Sequence, residues 1–159
     1  MNSESGMRTI NESVADLFHH IERQCADINA VKGFLQIQWD VSLKEGNDAQ
    51  NCTLTNGQVG LTVTWNQPYA TELTNSGLVI REYKFGLILP NQLNRLMPYD
   101  QPRPIREAKY LPDLSRAREY GWKQDLSESD FVSSATLAEK IVMQFVDLAN
   151  HKASGQIKR

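Results

Sequence analysis

Cysteine, histidine and long apolar runs are all scarce in this chain, which has two cysteines and three histidines among 159 residues. Cys25 falls on an apolar helical stripe and Cys52 in a polar stretch, so we expect two reduced thiols and a reducing compartment. No apolar run approaches the roughly 18 residues that a membrane helix requires. Residues 1–9 are polar and hold no signal-peptide core. These absences predict a cytoplasmic protein with no membrane partner.

Short motifs that carry common chemistries are missing as well. The sequence contains no G-x-S-x-G, G-x-x-x-x-G-K-[ST], H-E-x-x-H or G-x-G-x-x-G pattern. His19 and His20 are adjacent, so on a helix their side chains diverge by about 100°, and Asp16 with His20 offers only two metal ligands. Cys25 lies on another helical face than the histidines, whereas Cys52 could be a reactive loop thiol. We expect no cofactor, no metal and no catalytic residue, which favours a non-enzymatic protein.

A strong excess of charge is also absent, since the formal net charge is −2 and the pI is about 5.9. The segment from Arg95 to Lys123 nevertheless has seven basic residues against four acidic ones, with aromatic residues interleaved. This +3 excess is small for a nucleic-acid binder, so we expect an acidic protein or a phosphate-bearing ligand. The alternative is a structural loop whose arginines pair with Glu107 and Glu119. The predicted partner-binding residues are Arg103, Arg106, Lys109, Arg116, Arg118, Tyr120 and Trp122.

Two amphipathic helices are the clearest positive signals. Thr9 and Glu12 form a capping-box pair ahead of an apolar stripe that continues to Ile28, which predicts a helix from about residue 10 to 31 that stops at Gly33. Ser127 and Asp130 stand in the same relation ahead of a second stripe, which predicts a helix over about 128–150. Residues 1–9 and 151–159 are then a flexible N-terminus and a flexible tail around one domain at 10–150.

Alternating apolar and polar residues between the helices predict strands. The Asn56-Gly57 pair is typical of a type I′ hairpin turn, with Thr53 to Thr55 leading into it. A short helix at 91–97 and short edge strands are also expected in the irregular part. The predicted strands cover about 34–43, 59–66, 78–89 (central in the sheet), 105–110 and 118–122. The pattern therefore predicts an α+β domain with a mainly antiparallel sheet of about four to six strands, flanked by long N-terminal and C-terminal helices.

The two faces of these strands suggest two kinds of site. Trp39 and Trp65 lie on the apolar face, where they pack in the core or line a pocket between the sheet and the terminal helix. The opposite face is polar but nearly uncharged, for which plain exposure to solvent is the favoured interpretation and coverage by a partner or a second subunit is the alternative. The amides and hydroxyls of that face are Gln36, Gln38, Ser42, Thr62, Thr64 and Asn66.

Two architectural resemblances follow from the order of the elements. Leu89-Pro90, Met97-Pro98-Tyr99, Pro102 and Trp122 ahead of the last helix are similar to the ubiquitin-conjugating-enzyme and RWD group. The order Pro98-Tyr99 departs from the usual Tyr-Pro, and no cysteine follows Cys52, so thioester chemistry is excluded and an inactive module is implied. The order helix, strand meander, helix also resembles the small homodimeric chaperones of secretion systems.

The function that these patterns favour is a non-enzymatic interaction, regulatory or adaptor module. Its partner is a protein of unknown identity, which includes a second copy of the chain itself. The opposing interpretation is a small-molecule-binding protein or an enzyme without a local motif, with its pocket between the sheet and the terminal helix.

Overall fold

A computed structural model of the protein describes residues 3–42, 50–66, 77–84, 104–113, 121–124 and 132–153. These residues form two α-helices and seven β-strands, with a 3₁₀ turn at Gly33–Leu35. In chain order the elements are α1 (Ser3–Val31), β1 (Gln38–Ser42), β2 (Gln50–Thr55), β3 (Gly60–Asn66), β4 (Gly77–Tyr83), β5 (Pro104–Asp113), β6 (Gly121–Gln124), β7 (Val132–Ser133) and α2 (Ser134–Ala153).

The sheet is a continuous antiparallel meander in which each strand pairs with the next, in the order β1 to β7. The predicted α+β class is therefore confirmed, although the sheet has seven strands rather than four to six. β4 is central, as its apolar composition predicted. The expectation that residues 105–110 form an edge strand is wrong, because β6 and β7 extend the sheet beyond β5. β7 has two residues, too few to show alternation in the sequence.

Helix α1 begins at Ser3 rather than near Ile10. Thr9 thus lies inside the helix, and the predicted Thr9 and Glu12 capping box does not start it. The C-terminal end agrees with the prediction, since Lys32 leaves the helical region and Gly33 opens the 3₁₀ turn. The predicted apolar stripe is confirmed, since Ile28 at its end is partly buried and the preceding described members are fully buried: Val14, Leu17, Phe18, Ile21 and Cys25.

The first strand starts at Gln38, four residues later than predicted. Gln36 adopts a left-handed backbone conformation with a φ of 48°, which interrupts the extended chain. The Asn29 side chain holds the next residue, since its Nδ2 donates to the Ile37 carbonyl at 2.8 Å and its Oδ1 accepts the Ile37 N–H at 2.9 Å. Leu35 and Ile37 remain buried, so their apolar signal reflects burial in a turn rather than in a strand.

The Asn56-Gly57 pair does join two strands, but not through a type I′ turn. Thr55 pairs with Gly60, so the connection has four residues, 56–59. Type I′ requires positive φ at both central residues, whereas Gly57 has a φ of 86° and Asn56 has no positive φ. The Asn56 Oδ1 instead accepts the N–H groups of Gln58 and Val59 at 2.9 and 3.0 Å, which closes the loop from the side chain.

Helix α2 begins at Ser134, about six residues later than predicted. Ser133 supplies the cap, since its hydroxyl accepts the Thr136 N–H at 3.2 Å. The start is displaced because Val132 and Ser133 pair with Trp122 and Gly121 as a strand. The predicted cap residues Ser127 and Asp130, the predicted helix at 91–97 and residues 85–89 of the predicted third strand lie outside the described residues.

The core lies between the two helices and one face of the sheet. Trp65 and Trp122 pack edge to face there, with ring centroids 5.8 Å apart and an interplanar angle of 70°. The Trp122 indole N–H donates to the Ser134 hydroxyl at 3.1 Å, which ties the start of α2 to β6. Phe145 of α2 is fully buried, as its position in the apolar stripe predicts. Neither described helix combines the length and apolarity that a membrane crossing demands.

Candidate functional site

The predicted partner-binding residues do not form one described surface. Arg106 and Lys109 lie three positions apart on β5, so strand alternation turns them toward opposite faces of the sheet. Arg106 shares the helix side with Glu82, while Lys109 covers Gly77 on the other side. Trp122 is fully buried in the core, which leaves no indole surface for a partner. The remaining four, Arg103, Arg116, Arg118 and Tyr120, lie outside the described residues.

The two tryptophans predicted to border a pocket are in different surroundings. Trp65 is buried against Trp122. Trp39 is half-buried on β1, and its indole N–H donates to the Glu22 Oε2 of α1 at 3.2 Å. Because β2 separates the strands that carry them, the Trp39 and Trp65 positions do not adjoin in the sheet. Neither residue lines the two clefts described below.

The polar face predicted for the sheet is present on the side away from the helices. Gln38 pairs with Thr55 and Thr62 with Thr53, so hydroxyls and amides continue from β1 through β3. The Thr64 hydroxyl donates to Asn51 Oδ1 at 2.8 Å on the same face. Gln36 does not belong to it, because that residue lies in the turn before β1. Coverage of this face by a partner stays a prediction.

The two thiols are buried, and their surroundings disfavour the reactive thiolate form. Cys52 was predicted to lie in a polar connection. It lies instead in β2, where it is fully buried. Burial raises the pKa of the Cys25 thiol to about 12, with a further contribution from Glu22. Burial also raises the pKa of Cys52 well above its ordinary value, and the neighbouring Cys25 adds to that shift. Both thiols are free, and neither has the lowered pKa that a nucleophile needs.

Two of the histidines, His20 and His151, each contact a residue one turn away on their own helix. His20 Nε2 lies 3.6 Å from the Asp16 carboxylate one helical turn away. His151 lies at the end of α2, with its Nδ1 2.6 Å from the Asp147 carbonyl oxygen. Within the part of the chain that the structure describes, no three histidine, cysteine, aspartate or glutamate side chains gather in a way that could hold a metal ion.

A cleft of about 570 Å³ lies between β4, β5 and α2, and Glu82 is at its base. The residue is only 3% exposed. Its Oε1 accepts a hydrogen bond from the Gln144 amide at 2.9 Å, and its Oε2 lies 3.3 Å from the Arg106 Nε, in an arginine side chain that is 75% exposed. Lys140, Asp147 and His151 line the mouth. The cleft therefore presents a buried carboxylate under a mixed ring of charges.

Glu82 faces the helices because β4 alternates, with Leu78 and Ile80 at the preceding core positions. In the sequence, the sign of this site is an acidic residue, Glu82, at the position after Leu78 and Ile80 on the same face of the strand. That pattern indicates a buried carboxylate only if the strand register is known. Of the residues in this cleft, Arg106 was a predicted site residue, whereas Glu82 and Gln144 were not.

A second cleft, of about 290 Å³, lies between the last turn of α1 and α2, and its walls are mainly apolar. Met143 lines both clefts and joins them into one surface. We name this surface the Met143 seam, after its apolar residues: Ile28, Val31, Ile105, Met143 and Val146.

The exposure of these residues sets the seam apart. Among the described residues, the large hydrophobic side chains that are exposed are Val31 at 82%, Ile105 at 48% and Met143 at 48%, and all three belong to the seam. Contiguous exposed apolar surface beside clefts is typical of a site that another molecule covers. Sequence periodicity could not identify the seam, because Val31 and Met143 lie on different helices and Ile105 lies on a strand.

Comparison of the chain with known protein families, with characterised proteins and with solved structures finds no match. The geometry of these surfaces is therefore what supports a function.

Proposed function

We propose that this protein is a non-enzymatic interaction module that binds a protein partner through the Met143 seam. The observation that carries the proposal is the concentration of Val31, Ile105 and Met143, the exposed large hydrophobics of the described residues, around two adjoining clefts. Single exposed apolar residues are ordinary on a protein surface, whereas a joined set with clefts that accept side chains is typical of an interface.

The surroundings of the seam support the same function. Charged and exposed residues border the apolar centre: Asp27 on α1, Lys32 directly after α1, and Lys140 and Asp147 on α2. An apolar centre within a polar rim is the usual anatomy of a protein interface. Both clefts are walled by elements of the packed core, so a partner meets a preformed surface and less ordering entropy is lost on binding.

Cross-linking from the seam tests this function directly. With benzoylphenylalanine in place of Met143, irradiation of cells that make the protein should give a covalent adduct, because the probe would lie within the interface. The matched control carries the same probe at Gln58, which is exposed in the β2–β3 loop far from the clefts in the chain. Adducts are identified by mass spectrometry. Absence of any adduct specific to position 143 would contradict the proposed function.

A second candidate function is binding of a small cationic ligand in the Glu82 cleft. Its volume of about 570 Å³ falls in the range of roughly 300–1,000 Å³ typical of ligand sites. The Glu82 carboxylate is buried, while its Arg106 partner is 75% exposed. A ligand ammonium or guanidinium group could thus replace Arg106 at the carboxylate without opening the core. Charge-assisted hydrogen bonds of this kind are stronger than neutral ones.

Melting curves with a panel of amines and guanidines test the second candidate. A ligand present at 100 times its Kd should stabilise the native protein by about 2.7 kcal/mol, and Glu82→Gln should abolish the shift by removing the charge. Glu107→Gln is the matched control, because Glu107 pairs with Arg81 at 2.8 Å on the opposite face of the sheet. An equal shift in native protein and Glu82→Gln would rule the cleft out as the binding site.

A further inference from the structure

We infer that the partner seated on the Met143 seam is a second copy of this chain, related to the first by a two-fold axis. The inference rests on the proposed function, since it names the occupant of the same surface. What points to a second copy is the arrangement of charge on the seam, which is complementary to itself.

The end of α1 and the helix α2 each contribute one acidic and one basic residue to the rim. Asp27 in α1 and Lys32, which directly follows that helix, lie on either side of the apolar pair Ile28 and Val31. On α2, Lys140 and Asp147 lie on either side of Met143. All four charged side chains are exposed, and none of them belongs to an ion pair recorded in the described part of the chain. They are therefore available to charges on another molecule.

In a contact related by a two-fold axis, these charges attract the charges of the second copy. In such an interface, if residue i of one copy meets residue j of the other, then j also meets i. With the axis perpendicular to the helices, α1 runs antiparallel to α1 of the second copy. Asp27 then lies opposite Lys32 and Lys32 opposite Asp27. The same operation on α2 places Lys140 opposite Asp147, again twice.

The distances along the helices suit this pairing. At a rise of 1.5 Å per residue, Asp27 and Lys32 are about 7.5 Å apart along α1, and Lys140 and Asp147 are about 10.5 Å apart along α2. Long lysine side chains can cover such offsets from the axis. The apolar residues of the seam meet at the centre, where Val31, 82% exposed in the single chain, is removed from water.

The seam also shows no excess of one charge sign among its described residues, which a strongly acidic or strongly basic partner would favour. A partner with one sign of charge would favour a rim of the opposite sign. Apart from His151 and the Glu82–Arg106 pair, this rim instead holds two acidic and two basic residues: Asp27, Asp147, Lys32 and Lys140. A seam with one sign of charge would repel its own copy. The balanced and alternating rim is thus the arrangement that favours self-association.

Charge exchange on α1 is the test. By analytical ultracentrifugation, the full-length native chain should form a dimer. Asp27→Lys alone should raise the dimer dissociation constant at least about tenfold, because it sets lysine against Lys32 at two symmetric positions. Lys32→Asp alone should act likewise by pairing two acids. The double variant Asp27→Lys with Lys32→Asp should restore native association, since the opposite charges are merely exchanged.

Two further variants serve as controls. Met143→Glu should give a folded monomer with the circular-dichroism spectrum of the native protein, because the side chain is 48% exposed in the single chain, and its melting temperature should fall only to that of the native chain diluted to the monomer. Gln38→Glu, on the polar sheet face away from the helices, should leave the dimer intact. Dissociation by Gln38→Glu but not by Met143→Glu would overturn the inference in favour of the sheet face.

The outcomes separate this inference from the proposed function. A native chain that stays monomeric at high concentration, while the probe at Met143 links to a different protein, overturns the second copy as partner and leaves the interaction function standing. Failure of the double variant to recover the association lost in the single variants also overturns the inference. A monomer with no adduct from position 143 overturns both.

Discussion

Replacing Phe145 with alanine is expected to lower the free energy of unfolding by about 3–5 kcal/mol. The phenyl ring is fully buried in the cluster that α2 shares with α1 and the sheet, so its removal loses transfer free energy and leaves a cavity. The measurement is a urea titration of native protein and variant, followed by circular dichroism. A loss of this size would equal a large part of the 5–15 kcal/mol that typically stabilises a domain.

Met143→Ala is the matched control for this prediction. It removes a large apolar side chain from the same helix, two positions earlier, at a site that is 48% exposed. With both proteins diluted until they are monomeric, we expect a change below about 1 kcal/mol, because little apolar surface is lost from the core. Equal midpoints for native protein and Phe145→Ala would show that α2 does not turn this face to the sheet.

Both thiols should react more slowly with a disulfide reagent in the native protein than in urea at pH 8, and for Cys25 the difference should be at least about 10³-fold. The thiolate is the reactive form, and burial raises the pKa of Cys25 from the ordinary 9.0 to about 12. At pH 8 about one native Cys25 thiol in ten thousand is ionised, against about one in ten for an unperturbed thiol. Burial of both side chains excludes the reagent as well.

The pH dependence gives this prediction its sign. Since the pKa is raised on folding, the reaction rate of the native Cys25 should still climb about tenfold per pH unit from pH 9 to 11, while the rate of the unfolded chain levels off above pH 9. Stability should fall over the same range, by up to about 1.4 kcal/mol per pH unit for each thiol, because the unfolded state ionises first. Rapid labelling of one native thiol would contradict the buried placement of that cysteine.

Local sequence patterns predicted which helices and strands form better than they predicted the residues at which these elements begin. The apolar stripe of α1 repeats at helical spacing, so its burial follows from the period alone. The start of α2 did not follow, because pairing of Val132 with Trp122 is a tertiary contact that takes priority over the capping signal further upstream. In the same way Gln36 looks extended in the alternating pattern, yet the Asn29 side chain fixes a turn there.

The candidate sites were less accessible to sequence reasoning. Trp122 stands in a basic segment and was expected at a surface, but pairing of β6 with β5 turns it into the core, where it packs on Trp65. Glu82 becomes a buried cleft residue only through the register of β4 and the approach of Gln144 from α2. Arg106 was identified, but its partner was not.

The sequence by itself determined the α+β class, the two amphipathic helices and the alternating strands. Each of these depends on apolar residues that repeat every 3.6 or every two residues, and such a repeat can be identified within one short segment of the chain. Tertiary structure alone decided which apolar residues stay exposed. Val31, Ile105 and Met143 come from α1, β5 and α2, and they meet only when these elements pack. The residues of the seam come from three distant segments and do not repeat at a regular spacing in the sequence, so no local sequence pattern predicts the seam.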